Sequence, residues 1–276
     1  MRSNNPVFTR VEGFNGVDAA SGQAIYAGNG QTYAGYGTTP TDAPSRMSID
    51  SVVNRTGLAL GALLIAAAAA WFFTGDPDPY TAGGATAVQS LYVLTLVGGL
   101  GGFVLSLVNS FKKVISPMLV IAYAALEGLF VGAVSKVFQY SFGEGVVTGA
   151  VLGTIAAFAG TLAAYKFFNI KVTNKFRTWV IGAMFGFVAL SLVDLGLSFF
   201  GSGFGWNDLG TMGMVSAVIG LGIAVLMLIL DFDYVERGIA AGLPERESWR
   251  AAFGLTVTLV WIYVQLLRLL AMFSRR

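Results

Sequence analysis

The chain has 276 residues, 55% of them hydrophobic and only 12% charged, with a net charge of +2. Soluble domains average about 25% charge, so an ordinary soluble fold is excluded, and nucleic acid finds no basic surface to bind. The absence of Cys and His removes disulfides, thiolate and imidazole metal sites, Cys nucleophiles and the usual proton switch near neutral pH.

Proton sensing therefore falls to carboxylates, and any metal site must use oxygen ligands, which suits Ca²⁺ or Mg²⁺. The chain begins with a different material. Residues 1–47 contain GFNGVDAASGQAIYAGNGQTYAGYGTTPTDAP, which has neither a helical nor a strand period. They read as a disordered cytoplasmic tail, either an uncommitted linker or a docking segment carrying Phe14, Tyr26, Tyr33 and Tyr36. No apolar run follows the initial Met-Arg, so a signal peptide is not expected.

Residues 48–276 read as one transmembrane domain. Ser48 is placed to cap the first helix, with Asp50 in its first turn. Seven apolar segments follow, near 53–73, 86–108, 115–138, 146–168, 178–200, 210–231 and 253–273. Each matches the ~20 residues that cross a hydrocarbon layer as a helix. The expected fold class is an all-α membrane protein with seven transmembrane helices. Stretches such as GGLGGFVLS, GAVLGTIAAFAGTLAA and GMVSAVIGLG supply small residues that let helices approach closely in lipid.

Charge sets the expected orientation. Basic residues recur in every second loop: Lys112 and Lys113, then Lys166, Lys171, Lys175 and Arg177, then Arg237, Arg246 and Arg250. The intervening links carry only acids. The basic loops and the N-terminus are therefore expected on the cytoplasmic side. Seven crossings put the C-terminus outside, against the grain of Arg268, Arg275 and Arg276. A last segment that re-enters without crossing is the alternative.

Four acids stand out. Glu127, in VIAYAALEGLFVGAVS, sits in mid-span, where a charge costs about 2.5–3.5 kcal/mol on insertion scales. It is either a protonated packing group or a functional one, and Gly128 beside it admits a close helix. Asp194, in ALSLVDLGLSFF, lies near the outer end of span five, where headgroup water is the simple account. Asp231 and Asp233, in LMLILDFDYVERG, close span six. Asp233 and Arg237 are spaced to pair along a helix. This cluster is either a charged helix end or a gate at a pore mouth. Span seven offers Thr258 and Gln265, with Gln265 and Arg268 sharing a face. Arg55 is a further counter-charge candidate, or it snorkels to the surface.

The ordered set of SPMLVIAYAALEGLFVGAVS, LDFDYVERGI and WIYVQLLRLL, on seven spans, resembles the Bax inhibitor-1 (transmembrane Bax inhibitor motif) family in its bacterial branch. NPVF and GYG in the tail resemble the form seen in high-GC Gram-positive bacteria. The resemblance implies a central last helix wrapped by two layers of three and a passive, pH-sensitive Ca²⁺ leak. It also implies a pair of aspartates, one late in span six and one in span seven, that shares a proton and latches the cytoplasmic side. Two close carboxylates cannot both ionise cheaply, so such a pair senses pH without His. The span-six member matches Asp231 or Asp233, while the span-seven member falls on or near Thr258. Either Glu127 or Asp194 completes a substitute pair, or pH gating is weak or absent.

The first functional reading is a cation leak of the bacterial plasma membrane, with Ca²⁺ or protons as cargo, no catalysis and no resident cofactor. Glu127, Asp194, Asp231 and Asp233 are its gating candidates, and Arg55, Arg237 and Arg268 the candidate charge partners. The alternative is a membrane-embedded regulator of a membrane protease or stress response, acting on a membrane-protein partner. An intramembrane zinc hydrolase is disfavoured without His.

Overall fold

The computed structural model describes residues 45–78, 80–168 and 170–274. Residues 1–44 and the terminal Arg275 and Arg276 lie outside them, so the tail expected there is not described. Seven helices follow in order among the described residues: α1 Ile49–Phe73, α2 Gly84–Phe111, α3 Pro117–Phe142, α4 Gly145–Phe167, α5 Asn174–Phe199, α6 Thr211–Ala240 and α7 Glu247–Ser274. All seven are long and apolar enough to cross a membrane. The shortest has 23 residues, about 35 Å at ~1.5 Å per residue, against a hydrocarbon layer of ~30 Å. The last, at 28 residues, is one unbroken helix, so its length favours crossing over re-entry.

Local chemistry sets the ends. Ser48 accepts from the Ser51 amide at 3.1 Å, and Ser51 returns the bond from the Ser48 amide at 3.0 Å, a reciprocal capping box at α1. Pro117 opens α3, where its missing N–H is harmless. Thr173 caps α5 through the Phe176 amide.

Two boundaries depart from the apolar pattern. Helix α6 runs nine residues past the expected 231, and α7 begins six residues before the expected 253. Hydropathy marks where the lipid ends, whereas the helices continue because their charged turns find partners, as shown below. The α6–α7 connection turns at Gly242, whose φ of 64° is the left-handed region. Ser45–Met47, read from sequence as the tail's end, are held against this turn. The Met47 amide donates to Leu243 O at 2.8 Å, the Glu245 amide donates to Ser45 O at 2.7 Å, and Met47 is 3% exposed.

Helix α7 is the most enclosed: 61% of its most apolar window is buried, against 17–39% in the other six. It packs against α1, α3, α4 and α6, while α2 rests on α3 and α5 on α6. Each of the larger apolar clusters includes α7 residues: Leu255 and Ile262 with α6, Phe253 and Val260 with α1 and α3, Tyr263 and Leu267 with α4. The layered wrapping implied by the resemblance goes beyond these pairings.

Glycine sets the tightest contacts. A methyl at Gly128 would strike the Leu63 carbonyl of α1, and one at Gly132 the Ala67 carbonyl. On the other side of α3, a methyl at Gly98 of α2 would lie 2.6 Å from the Phe130 amide nitrogen. Small residues four apart therefore bring three backbones together, which is how helices gain contact where lipid removes the hydrophobic incentive to associate.

Candidate functional site

The four acids separate sharply by environment. Asp231, late in α6, turns its carboxylate onto α7. Thr258 Oγ1 donates to Asp231 Oδ2 at 2.6 Å. One turn earlier in α7, Gly254 leaves room for the other oxygen: a methyl there would lie 3.2 Å from Asp231 Oδ1. Of the two span-six acids, Asp231 is the one that meets Thr258.

Asp233 faces away from that contact. Its Oδ2 takes Arg177 Nη2 at 2.6 Å and its Oδ1 takes Arg237 Nε at 2.9 Å. Arg237 also donates to Val172 O at 2.6 Å. Asp233 is thus a rivet joining α6, the start of α5 and the α4–α5 link. The pairing with Arg237 follows from spacing, but Arg177 was legible only as a loop base.

Asp194 corrects the expectation of headgroup water. It is 1% exposed. Its Oδ1 accepts from the amides of Phe204 at 2.8 Å and Gly205 at 3.1 Å, and its Oδ2 from the Asn207 amide at 2.9 Å and side chain at 3.1 Å. The carboxylate organises the α5–α6 loop, because an ionised acid can accept about four such bonds. It does not sit beside Asp231 and forms no substitute pair.

Glu127 forms none either. It lies half-buried in α3 over Gly102 of α2, where a methyl would press on its Oε2. It has no hydrogen bond or ion pair among the described residues. It faces α2, and Asp231 faces α7.

The expected counter-charges divide likewise. Arg55 pairs with Glu245 at 3.1 Å and lies over the Trp249 ring at 5.2 Å, an anchored contact in place of free snorkelling. Among the described residues Arg268 pairs with no carboxylate. It donates to Gln265 Oε1 at 3.3 Å, as their shared face predicts, and to Trp206 O at 3.0 Å, Asp208 O at 3.2 Å and Ser216 Oγ at 3.1 Å. The α5–α6 loop is thus held by Asp194 from α5 and by Arg268 from α7.

Sequence reasoning missed Lys136. Its ammonium is buried and donates to Trp71 O at 2.7 Å and Thr74 O at 3.4 Å, at the end of α1. A cation on exposed helix carbonyls is favourable, but the carbonyls lie more than sixty residues away in sequence. At the basic end, Arg250 bonds Glu247 and the carbonyls of Lys112 and Lys113. Tyr165 bonds Glu236, and Ser51 bonds Ser248. Outside the spans, hydrogen bonds from Ser45 and the Arg55 guanidinium hold the Glu245 carboxyl below its ordinary value. Among the described residues no three acids gather closely enough to hold a metal ion. Asp231 and Thr258 form a pair of oxygen groups between α6 and α7.

The chain is 27% identical over 163 residues to an uncharacterized protein of Chlamydia muridarum, across 57% of this chain and 66% of the relative, just under two thirds of its length. A family model described as Bax inhibitor 1 like matches residues 5–275, nearly the whole chain, so this seven-helix membrane protein belongs to the Bax inhibitor 1 like family.

Proposed function

We propose that this chain is a passive Ca²⁺ leak of the bacterial plasma membrane, with Asp231 as the carboxylate that a permeating ion meets. One observation carries the reading. Asp231 turns inward onto α7, the most enclosed helix, with Thr258 Oγ1 at 2.6 Å and Gly254 leaving space beside it. A carboxylate and a hydroxyl are hard oxygen ligands of the kind Ca²⁺ takes. With few fixed ligands the ion is cargo and not a resident cofactor, and no catalytic step is involved. The contacts of Arg250 and the Asp233 rivet tie the basic loops down, as a closed cytoplasmic side would need.

The pH response in this reading is that of a single acid. Two coupled carboxylates titrate as a pair, in steps that belong to both. Asp231 has a hydroxyl partner instead, so its response is a single one-proton step.

The test is Ca²⁺ entry into liposomes holding the purified full chain, measured with an internal indicator across pH. Wild type should exceed empty vesicles. Asp231→Asn and Thr258→Val should each change the flux or flatten its pH profile. Flux no greater than in empty vesicles, or a profile untouched by Asp231→Asn, sinks the proposal.

A further inference from the structure

A three-residue strap lies across the basic end of the α6–α7 interface. Ser45–Met47 run antiparallel to the α6–α7 turn, with Arg46 opposite Pro244 between the two backbone hydrogen bonds already described. The Met47 side chain enters the protein. It belongs to one apolar cluster with Val52 of α1, Leu228 and Phe232 of α6, and Ala251 and Leu255 of α7. The turn is shaped to receive it. A methyl at Gly238 would lie 2.8 Å from Met47 Sδ, and one at Gly242 would lie 3.4 Å from Arg46 Nη1. At the rim, Glu245 accepts from Ser45 and from Arg55 of α1.

Position decides what the strap covers. Gly238 follows Asp231 by two turns of α6, about 10 Å along the axis and on the same face. On α7, Ala251 and Leu255 of the Met47 cluster share a face with Gly254 and Thr258, the two residues against which Asp231 rests. Met47 thus stands on the face where Asp231 meets α7, nearer the basic end. Water or an ion moving up this interface from that end meets Met47 before Asp231.

The strap can leave without unfolding a helix. The Ser48–Ser51 capping box, with Ser51 Oγ on Ser248 Oγ at 2.7 Å, fixes the start of α1 independently of it. Ser45 and Arg46 are exposed, so the strap is held by two backbone bonds, the Ser45 contact and one buried side chain. A segment with so few buried contacts opens far more readily than the fold as a whole.

We infer that Ser45–Met47 is a removable plug, which in place bars the basic end of the α6–α7 interface and on release opens a path to the Asp231 carboxylate. What passes through the open path rests on the ion-leak reading above; the covering of Asp231 does not.

The chain has no Cys, so an introduced thiol reports cleanly. Thr258→Cys puts one beside Asp231. The full chain in nanodiscs, exposed on both faces to a charged methanethiosulfonate, gives a modification rate by intact mass. Adding Met47→Ala should raise that rate several-fold. Met272→Ala, which removes an equally buried methionine near the far end of α7, should leave it unchanged. Gly238→Val, which pushes Met47 from its socket, should act like Met47→Ala and serves if that variant folds poorly. A second arm closes the strap reversibly. Arg46 and Pro244 form a non-hydrogen-bonded pair, whose Cα atoms lie about 4.5 Å apart, within disulfide reach. In liposomes, Arg46→Cys with Pro244→Cys should pass Ca²⁺ several-fold more slowly oxidised than reduced. A thiol rate that neither Met47→Ala nor Gly238→Val raises, or that Met272→Ala raises equally, overturns the plug. So does a Ca²⁺ flux above that of empty vesicles that oxidation leaves unchanged. A raised thiol rate with flux no greater than in empty vesicles in either redox state supports the plug and removes the ion leak instead.

Discussion

Removing the Asp194 carboxylate should collapse the α5–α6 loop, and the cost can be worked from its bonds. Asp194→Ala strands the amides of Phe204, Gly205 and Asn207 and one amide group of the Asn207 side chain. A hydrogen bond to a charged group contributes about 1.5–3 kcal/mol. The four share one acceptor group, and Phe204 and Asn207 are exposed enough to be rewetted, so they do not add. A net loss near 3 kcal/mol follows, the value of one to two such bonds. On the scaling for chains of 150–250 residues that is a fall in Tm of about 6–12 °C. Asp194→Asn keeps the Oδ1 acceptor for Phe204 and Gly205 but turns a donor toward Asn207, so roughly half the loss is expected. Thermal melts in detergent, with limited proteolysis at 201–209, read both quantities. Asp194→Ala melting within a degree or two of wild type, with the loop still protected, would refute the account of Asp194 as the loop's organiser.

Other outcomes follow from the same contacts. Gly132→Val drives a side chain into the Ala67 carbonyl of α1 and should cost about 1–3 kcal/mol or more by overpacking, whereas Gly182→Val, with open space around it, should melt near wild type. Arg177→Ala leaves Asp233 with Arg237, and Arg177 is 39% exposed, so a loss under about 1 kcal/mol is expected. Asp233→Ala leaves two guanidiniums without their carboxylate and should cost clearly more in the same melts; equal losses would contradict the rivet. Glu245 is a depressed acid, so its contribution is present above the unfolded value of about 4.3 and fades as pH falls through the folded value. The Tm gap between wild type and Glu245→Gln should therefore be constant near pH 7 and close below about pH 4; a gap that widens on acidification would contradict the assignment.

The spans were legible because the bilayer imposes a length on every apolar run. Their ends were less so. Nothing apolar says that α6 continues through Asp233 and Arg237, because partners supplied by α5 and the α4–α5 link hold those turns. Close approach at Gly128 could be anticipated from its small side chain, but the identity of the neighbour, Leu63 in α1, needs the fold. The meeting of Asp231 with Thr258 came from a resemblance between motifs and was narrowed by geometry. Asp194 was misread for a physical reason. Position along a span reports depth in the membrane, and a loop that folds back over a carboxylate replaces the water expected at that depth.

The acids sort by how many of their acceptor sites the fold has filled. Asp194 has four donors and Asp233 two guanidiniums, so structure alone accounts for both. Asp231 has one hydroxyl, and among the described residues neither it nor Glu127 has a cation within ion-pair distance. A carboxyl left half-satisfied inside a helix bundle is expensive to insert, and a residue of similar shape without the charge relieves that expense. Asp231→Asn should therefore leave the melting temperature equal to or above that of wild type while altering Ca²⁺ flux. The two readouts pull apart only if the acid is kept for the ion. A variant that melts several degrees lower with unchanged flux would move Asp231 into the company of Asp194, as one more group that holds the scaffold together.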